Sequence, residues 1–192
     1  GDVATSLAGI DLRVEGEEHL WSHRPAVFIF NHQSALDAIL MMKLIRRDVT
    51  GIGKMELKKN PIFGPLFTAA GVVFVDRANS AGAIEALKPA VEALKEGRSL
   101  TIAPEGTRSP TPKLGRFKKG AFHLAMQAGV PIVPVVFRNV LDAFPKDARV
   151  MRAATIETVV LPPVQTTDWT VESLDEKIAE IRDAYLDILH QF

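Results

Sequence analysis

The chain has 192 residues, 47% of them hydrophobic and 24% charged, a composition that supports a single buried core and excludes a disordered, collagen-like or coiled-coil protein. Lysine plus arginine and aspartate plus glutamate number 23 each, so no global field is available to attract nucleic acid and no nucleic-acid partner is expected. Cysteine is absent, which rules out disulfides, cysteine-liganded zinc and thiol nucleophiles.

Gly1 to Arg24 precede the first apolar run, and the sequence opens on Gly rather than Met; these residues are read as the remnant of an upstream segment such as a membrane anchor or another domain. Short β-branched runs then predict strands at Ala26 to Phe30, Val72 to Val75, Leu100 to Ala103, Ile132 to Phe137 and Ala154 to Val160. Helical spacing lies between them. Apolar residues run from Ala38 to Ile45; Ile84, Leu87, Val91 and Leu94 recur at steps of three and four before Gly97, with Pro89 expected to kink or end that helix early. Phe117 or Ala121 to Ala128 ends at Gly129. After the Leu161 to Pro163 loop, residues 165–192 hold a C-terminal amphipathic helix near Val171 to Leu189, with Leu174, Ile178, Ile181, Tyr185 and Ile188 on one face. This alternation predicts one α/β sandwich domain over residues 1–192, a largely parallel or mixed sheet flanked by helices. No apolar run approaches the roughly 18 to 20 residues that cross a bilayer, so no transmembrane segment is expected.

Charge is segregated along the chain. From Gly106 to Leu141 there is no acidic residue, whereas Arg108, Lys113, Arg116, Lys118, Lys119 and Arg138 fall there, so this stretch should prefer anions. The tail from Gln165 onward is acidic apart from Lys177 and Arg182 and reads as a solvated helix face. Two familiar phosphate and hydrolase motifs fail: Gly51 to Lys54 lacks the P-loop spacing, and Ala78 to Gly82 lacks the first glycine of a nucleophile elbow.

Two clusters carry chemistry. The first strand runs into Asn31, His32, Gln33, Ser34, Ala35, Leu36 and Asp37, which places His32 in a strand-to-helix turn at a strand's carboxyl end. With Ser34 as helix cap, Asp37 stands at the third helical position and its carboxylate leans back toward His32. Asp37 can then accept from one imidazole nitrogen and leave the other as a base. A capping box formed by Ser34 and Asp37 beside an incidental His explains the same spacing equally well. The second cluster follows Leu100 to Ala103: Pro104, Glu105, Gly106, Thr107, Arg108 and Ser109, then the basic stretch from Lys113 to Gly120. Gly106 admits close approach of a ligand to the backbone, and Arg108 offers a fork for two phosphate oxygens. Glu105 could orient Arg108 or a substrate hydroxyl, and Lys113 and Lys119 read as solvated loop charges.

Four blocks in order, Asn31-His32 with Asp37, Gly71 to Arg77, Ala103 to Ser109 and Val130 to Val135, resemble those of the glycerolipid acyltransferases, in particular the PlsC-type 1-acylglycerol-3-phosphate acyltransferases. The resemblance covers about Phe30 to Val136 and implies a glycerol-3-phosphate acyltransferase-like fold. It implies that His32 is the general base on the sn-2 hydroxyl of a lysophospholipid and that Asp37 orients it, without a covalent acyl-enzyme. It carries acceptor-phosphate binding to Arg77, Gly106 and Arg108, with Lys54 and Lys118 completing the pocket, and makes Glu105 the acceptor-site glutamate. Neither metal nor cofactor is implied; the donor is acyl-CoA, as co-substrate, or acyl carrier protein. The expected product is phosphatidic acid. Another lysophospholipid, glycerol 3-phosphate or a glycolipid as acceptor, or an idle phosphatidic-acid-binding module, are the alternatives. Family members carry an apolar N-terminal helix that holds them to the membrane. Here Lys54, Lys58 and Lys59 before Ile62, Phe63, Leu66 and Phe67 could instead make peripheral contact with the cytoplasmic side of a membrane.

Overall fold

The computed structural model describes residues 9–59, 61, 63–69, 71–75, 87–145, 148 and 150–190, with the side chains at 54, 57, 63 and 66 outside the description. Seven strands among the described residues form one sheet: β1 (Ile10–Glu15), β2 (Val27–Phe30), β3 (Val49–Lys54), β4 (Val73–Val75), β5 (Ser99–Ile102), β6 (Ile132–Phe137) and β7 (Ala154–Val160). Their order is β1-β7-β6-β2-β5-β3-β4, and every pairing is parallel except β6 with β7. The mixed, largely parallel α/β sandwich expected from the alternation of elements is thus present.

The helices are α1 (His19–Ser22), α2 (Leu36–Ile45), α3 (Met55–Lys58), α4 (Phe63–Ala69), α5 (Lys88–Lys95), α6 (Gly120–Ala128), α7 (Val140–Ala143) and α8 (Leu174–Leu189). They cover the sheet in two layers, and β2 shows why. All four of its side chains are buried, so its apolar run is continuous rather than alternating, as a central parallel strand requires. Val27 and Ile29 point into one core with Leu94 of α5, Phe122 of α6 and Ile181 of α8. Phe28 and Phe30 point into the other with Leu40 and Met41 of α2 and Val140 of α7. No helix among the described residues is long and apolar enough to cross a membrane.

Three differences from the sequence reading have physical causes. Residues 10–15, within the stretch read as an upstream remnant, form β1 and pair with β7 from Ile10↔Ala154 to Glu15↔Val159. Its pattern alternates because an edge strand buries one face only. β3 went unread because two of its six residues are glycine, which weaken a strand signal. A Cβ at Gly53 would lie 3.2 Å from the Val72 side chain, so close packing against the β4 segment favours glycine there. Pro89 does not kink the described helix: it stands in the first turn of α5, where its missing N–H would have had no helical partner anyway. Ile84 lies outside the described residues.

Pro134 sits in β6 opposite Ile29 of β2 and brings no N–H to the ladder. Tyr185 of α8 supplies what is missing nearby. Its hydroxyl donates to the Ile29 carbonyl at 2.8 Å and accepts from the Val135 amide at 3.2 Å. Complete burial raises the pKa of that phenol well above 10.0, so it remains a neutral donor and ties α8 to the centre of the sheet.

Candidate active site

β2 and β5 are parallel neighbours, so their carboxyl ends deliver the two sequence clusters to the same edge. After Phe30 the chain leaves β2 through Asn31, whose buried amide behaves as an extra main-chain unit. Its Nδ2 donates to the Phe137 carbonyl and its Oδ1 accepts from the Phe137 amide, both at 2.8 Å. That pair fastens the turn to the end of β6. Sequence reasoning used Asn31 only as a motif letter and missed this role.

The His32–Asp37 pair forms. Nδ1 of His32 lies 2.9 Å from Oδ2 of Asp37, and the same oxygen accepts the main-chain amides of Gln33 at 2.7 Å and Ser34 at 2.8 Å. Ser34 Oγ accepts from the Leu36 amide at 3.1 Å. The capping and histidine-orienting readings of Asp37 are therefore one geometry. One detail differs: Ala35 already has helical dihedrals as cap of α2, which puts Asp37 at the second helical position rather than the third. A carboxylate is acceptor-only, so Nδ1 carries the proton and Nε2 is left with a lone pair.

Asp37 is fully buried, while the His32 side chain is 23% exposed. The other carboxylate oxygen, Oδ1, is buried without a hydrogen-bond partner. The three donors on Oδ2, with the α2 N-terminus behind them, therefore hold the charge. Phe30 packs edge-on against the imidazole with centroids 5.7 Å apart. Gln33 Nε2 donates to the Pro112 carbonyl at 2.9 Å, which links this turn to the residue just before the basic stretch.

Glu105 joins the two clusters. It is 6% exposed; Oε1 accepts the His32 amide and Oε2 the Gly115 amide, both at 2.7 Å. Burial is the largest influence on its pKa and raises it above 4.5, while the two amide donors pull it down. The Ser109 amide donates to the His32 carbonyl at 2.7 Å, so the 105–109 segment grips His32 by both its main-chain groups. A Cβ on Gly115 would fall 2.7 Å from Glu105 Oε2, so no larger residue fits without displacing the carboxylate.

Gly106 has φ 74°, and a Cβ there would lie 2.9 Å from Lys118 Nζ. Glycine is needed both for the left-handed backbone and for the lysine that crosses it. Beside this turn opens a cavity of about 350 Å³ whose lining includes Glu105, Arg108, Ser109, Arg116 and Lys118. Three exposed cations thus line one cavity beside a buried carboxylate whose oxygens are already bonded, an arrangement suited to a phosphate. Arg116 was noted as basic but not singled out as a site residue. Lys119 is paired with Asp175 of α8 at 2.8 Å, in keeping with a loop charge outside the pocket. Lys54 ends β3, its side chain lying outside the description, and Arg77 falls outside the described residues.

A family model described as Acyltransferase matches residues 11–138, a span that contains both clusters. The chain is 37% identical to the 1-acyl-sn-glycerol-3-phosphate acyltransferase of Limnanthes douglasii over 97% of its own length and 66% of that protein's. It is 36% identical to the Saccharomyces cerevisiae protein of the same name, covering 96% of this chain and 62% of that one. With human 1-acyl-sn-glycerol-3-phosphate acyltransferase alpha the identity is 34%, over 96% and 66% of the two lengths. The chain therefore spans about two thirds of the length of these relatives. The crystal structure of the 1-acyl-sn-glycerophosphate acyltransferase PlsC from Thermotoga maritima superposes with a TM-score of 0.82 at 29% identity, covering 100% of this chain and 77% of that one. With the family model spanning most of the chain and the PlsC fold reproduced, the protein belongs to the acyltransferase family.

Proposed function

We propose that this protein transfers a fatty acyl chain to the sn-2 hydroxyl of 1-acylglycerol 3-phosphate, giving phosphatidic acid, with acyl-CoA or acyl carrier protein as donor. The observation that carries this reading is the juxtaposition of a carboxylate-oriented histidine, 2.9 Å from Asp37, with a cavity flanked by Arg108, Arg116 and Lys118. The names of the relatives agree with it.

In this mechanism Nε2 of His32 takes the hydroxyl proton as the acceptor oxygen attacks the thioester carbonyl. The Asp37 carboxylate, already fixed by two amides, stabilises the imidazolium that forms. Collapse of the tetrahedral intermediate breaks the carbon–sulfur bond, and His32 returns the proton to the leaving thiolate. The new ester oxygen comes from the acceptor and no acyl-enzyme forms. Arg108, Lys118 and, by resemblance, Arg77 and Lys54 hold the acceptor phosphate, with Gly106 supplying the left-handed turn beside Lys118 and Glu105 shaping the wall. Substrates of this kind reside in a bilayer, so the protein works at a membrane surface. The exposed Lys58 and Lys59 at the end of α3 would meet anionic headgroups on its cytoplasmic side.

The test is mass-spectrometric product analysis of the purified protein with long-chain acyl-CoA and an equimolar mixture of lysophosphatidic acid, other lysophospholipids and glycerol 3-phosphate. Phosphatidic acid as main product supports the proposal. A different acylated product reassigns the acceptor while keeping the chemistry, and bound lipid without turnover overturns both.

A further inference from the structure

The segment from Leu114 to Lys119 carries two of the three cavity cations, and it is hydrogen-bonded by a helix that lies beyond the 11–138 family match. Arg182 of α8 belongs to the stretch read as a solvated face, yet it is half-buried. Its Nε donates to the Gly115 carbonyl at 3.1 Å and its Nη2 to the Leu114 carbonyl at 3.3 Å. The Leu114 carbonyl and the Gly115 amide are the two ends of one peptide group, and the amide end donates to Glu105 Oε2 at 2.7 Å.

A guanidinium, a peptide dipole and a carboxylate therefore stand in line. The positive charge polarises the carbonyl, which strengthens the N–H as a donor to the negative charge. The other oxygen of that carboxylate holds the amide of His32. One turn along α8, Tyr185 holds the Ile29 carbonyl three residues before His32, so the helix itself is seated on β2. Buried Leu114 and Phe117 anchor the segment on either side of the gripped peptide.

We propose that Arg182 is a positioning residue for the acceptor site: through the 114–115 peptide it sets the place of Arg116 and Lys118 and the orientation of Glu105. This rests on the acceptor carrying a phosphate, as proposed above. A lysine cannot take over fully, because one ammonium cannot reproduce the planar fork that meets two successive carbonyls.

The experiment compares wild type with Arg182→Gln and Arg182→Lys, using Lys177→Gln as a control, since Lys177 pairs with Glu180 on the exposed face of the same helix. Four quantities are read: the KM for lysophosphatidic acid, the KM for acyl-CoA, kcat, and hydrogen exchange at the Gly115 amide. Arg182→Gln should raise the acceptor KM about tenfold, equivalent to about 1.4 kcal/mol, and speed Gly115 exchange by a similar factor. Donor KM should hold and Tm should fall by only a few degrees, Arg182→Lys should lie between wild type and Arg182→Gln, and Lys177→Gln should match wild type. An unchanged acceptor KM overturns the proposal, as does a loss spread equally over both KM values, kcat and Tm, which would make Arg182 a fold anchor only. Should Arg182→Gln fail to fold, Arg182→Lys carries the same comparison. A wild-type enzyme that acylates a phosphate-free acceptor instead removes the functional reading and the phosphate claim with it. Unaltered Gly115 exchange removes the brace whatever the acceptor.

Discussion

Replacing Asp37 with asparagine keeps the size and shape of the side chain and removes its charge. Three N–H groups converge on Oδ2, at 2.9, 2.7 and 2.8 Å. A hydrogen bond to a charged group contributes roughly 1.5–3 kcal/mol and a neutral one roughly 0.5–1.5, so the variant loses about 1 kcal/mol at each, or about 3 kcal/mol in all. For a chain of this length, about 3 kcal/mol corresponds to a Tm lower by about 6–12 °C. The chemical step should suffer more, because the imidazolium formed in the transition state loses its counter-charge. A kcat reduced on the order of 10²–10⁴ is expected. Both KM values should stay near wild type, since Asp37 lies beneath the histidine and away from the cavity. Thermal melting and steady-state kinetics on the same preparation measure all of this. A variant that melts with wild type, or whose kcat falls by less than about threefold, a barrier change under about 0.7 kcal/mol, refutes the reasoning.

Arg108→Ala removes one charge-assisted contact to the acceptor phosphate, worth roughly 1.5–3 kcal/mol, so the acceptor KM should rise about 10- to 100-fold while the donor KM is unaffected; equal rises in both would contradict a phosphate role. Glu105 titrates above 4.5, chiefly because it is buried. An acid whose folded pKa is raised contributes stability that is complete below its unfolded pKa and lost as pH climbs through the folded one. The Tm of wild type relative to Glu105→Gln, which cannot titrate, should therefore decline as pH rises from below 4.5 toward neutrality; an advantage that grows over that interval would show that the two amide bonds outweigh burial.

What could be read from the chain divides by distance along it. The His32–Asp37 pair spans five residues, so the turn into the helix and the backward lean of its first side chains bring the two together, and local apolar runs likewise located central strands such as β2 and β6. β1 was legible, since Ile10, Leu12 and Val14 alternate with charges as the residues of a half-buried edge strand do, and reading only continuous apolar runs passes over it; β3 is hidden by Gly51 and Gly53. Contacts between distant segments were beyond reach. Glu105 could be picked out as a candidate, but its bonds to the His32 and Gly115 amides could not, the first of them crossing 73 residues. Arg182 reaches Gly115 across 67 residues from a helix whose composition reads as solvent-facing, and no local pattern distinguishes it from the acidic and basic neighbours that do face water. Pro134 would argue against a central strand on its own, and the hydroxyl of Tyr185, from the far end of the chain, bonds the neighbouring Ile29 carbonyl and Val135 amide.

The central claim is that His32 carries the proton in acyl transfer, and the most direct measurement is phosphatidic acid formation by His32→Ala beside wild type, with Tm determined on both. The imidazole is 23% exposed and its removal leaves Asp37 with the Gln33 and Ser34 amides, so the variant should melt close to wild type and make no product above background. Substantial phosphatidic acid from a folded His32→Ala protein would contradict the account.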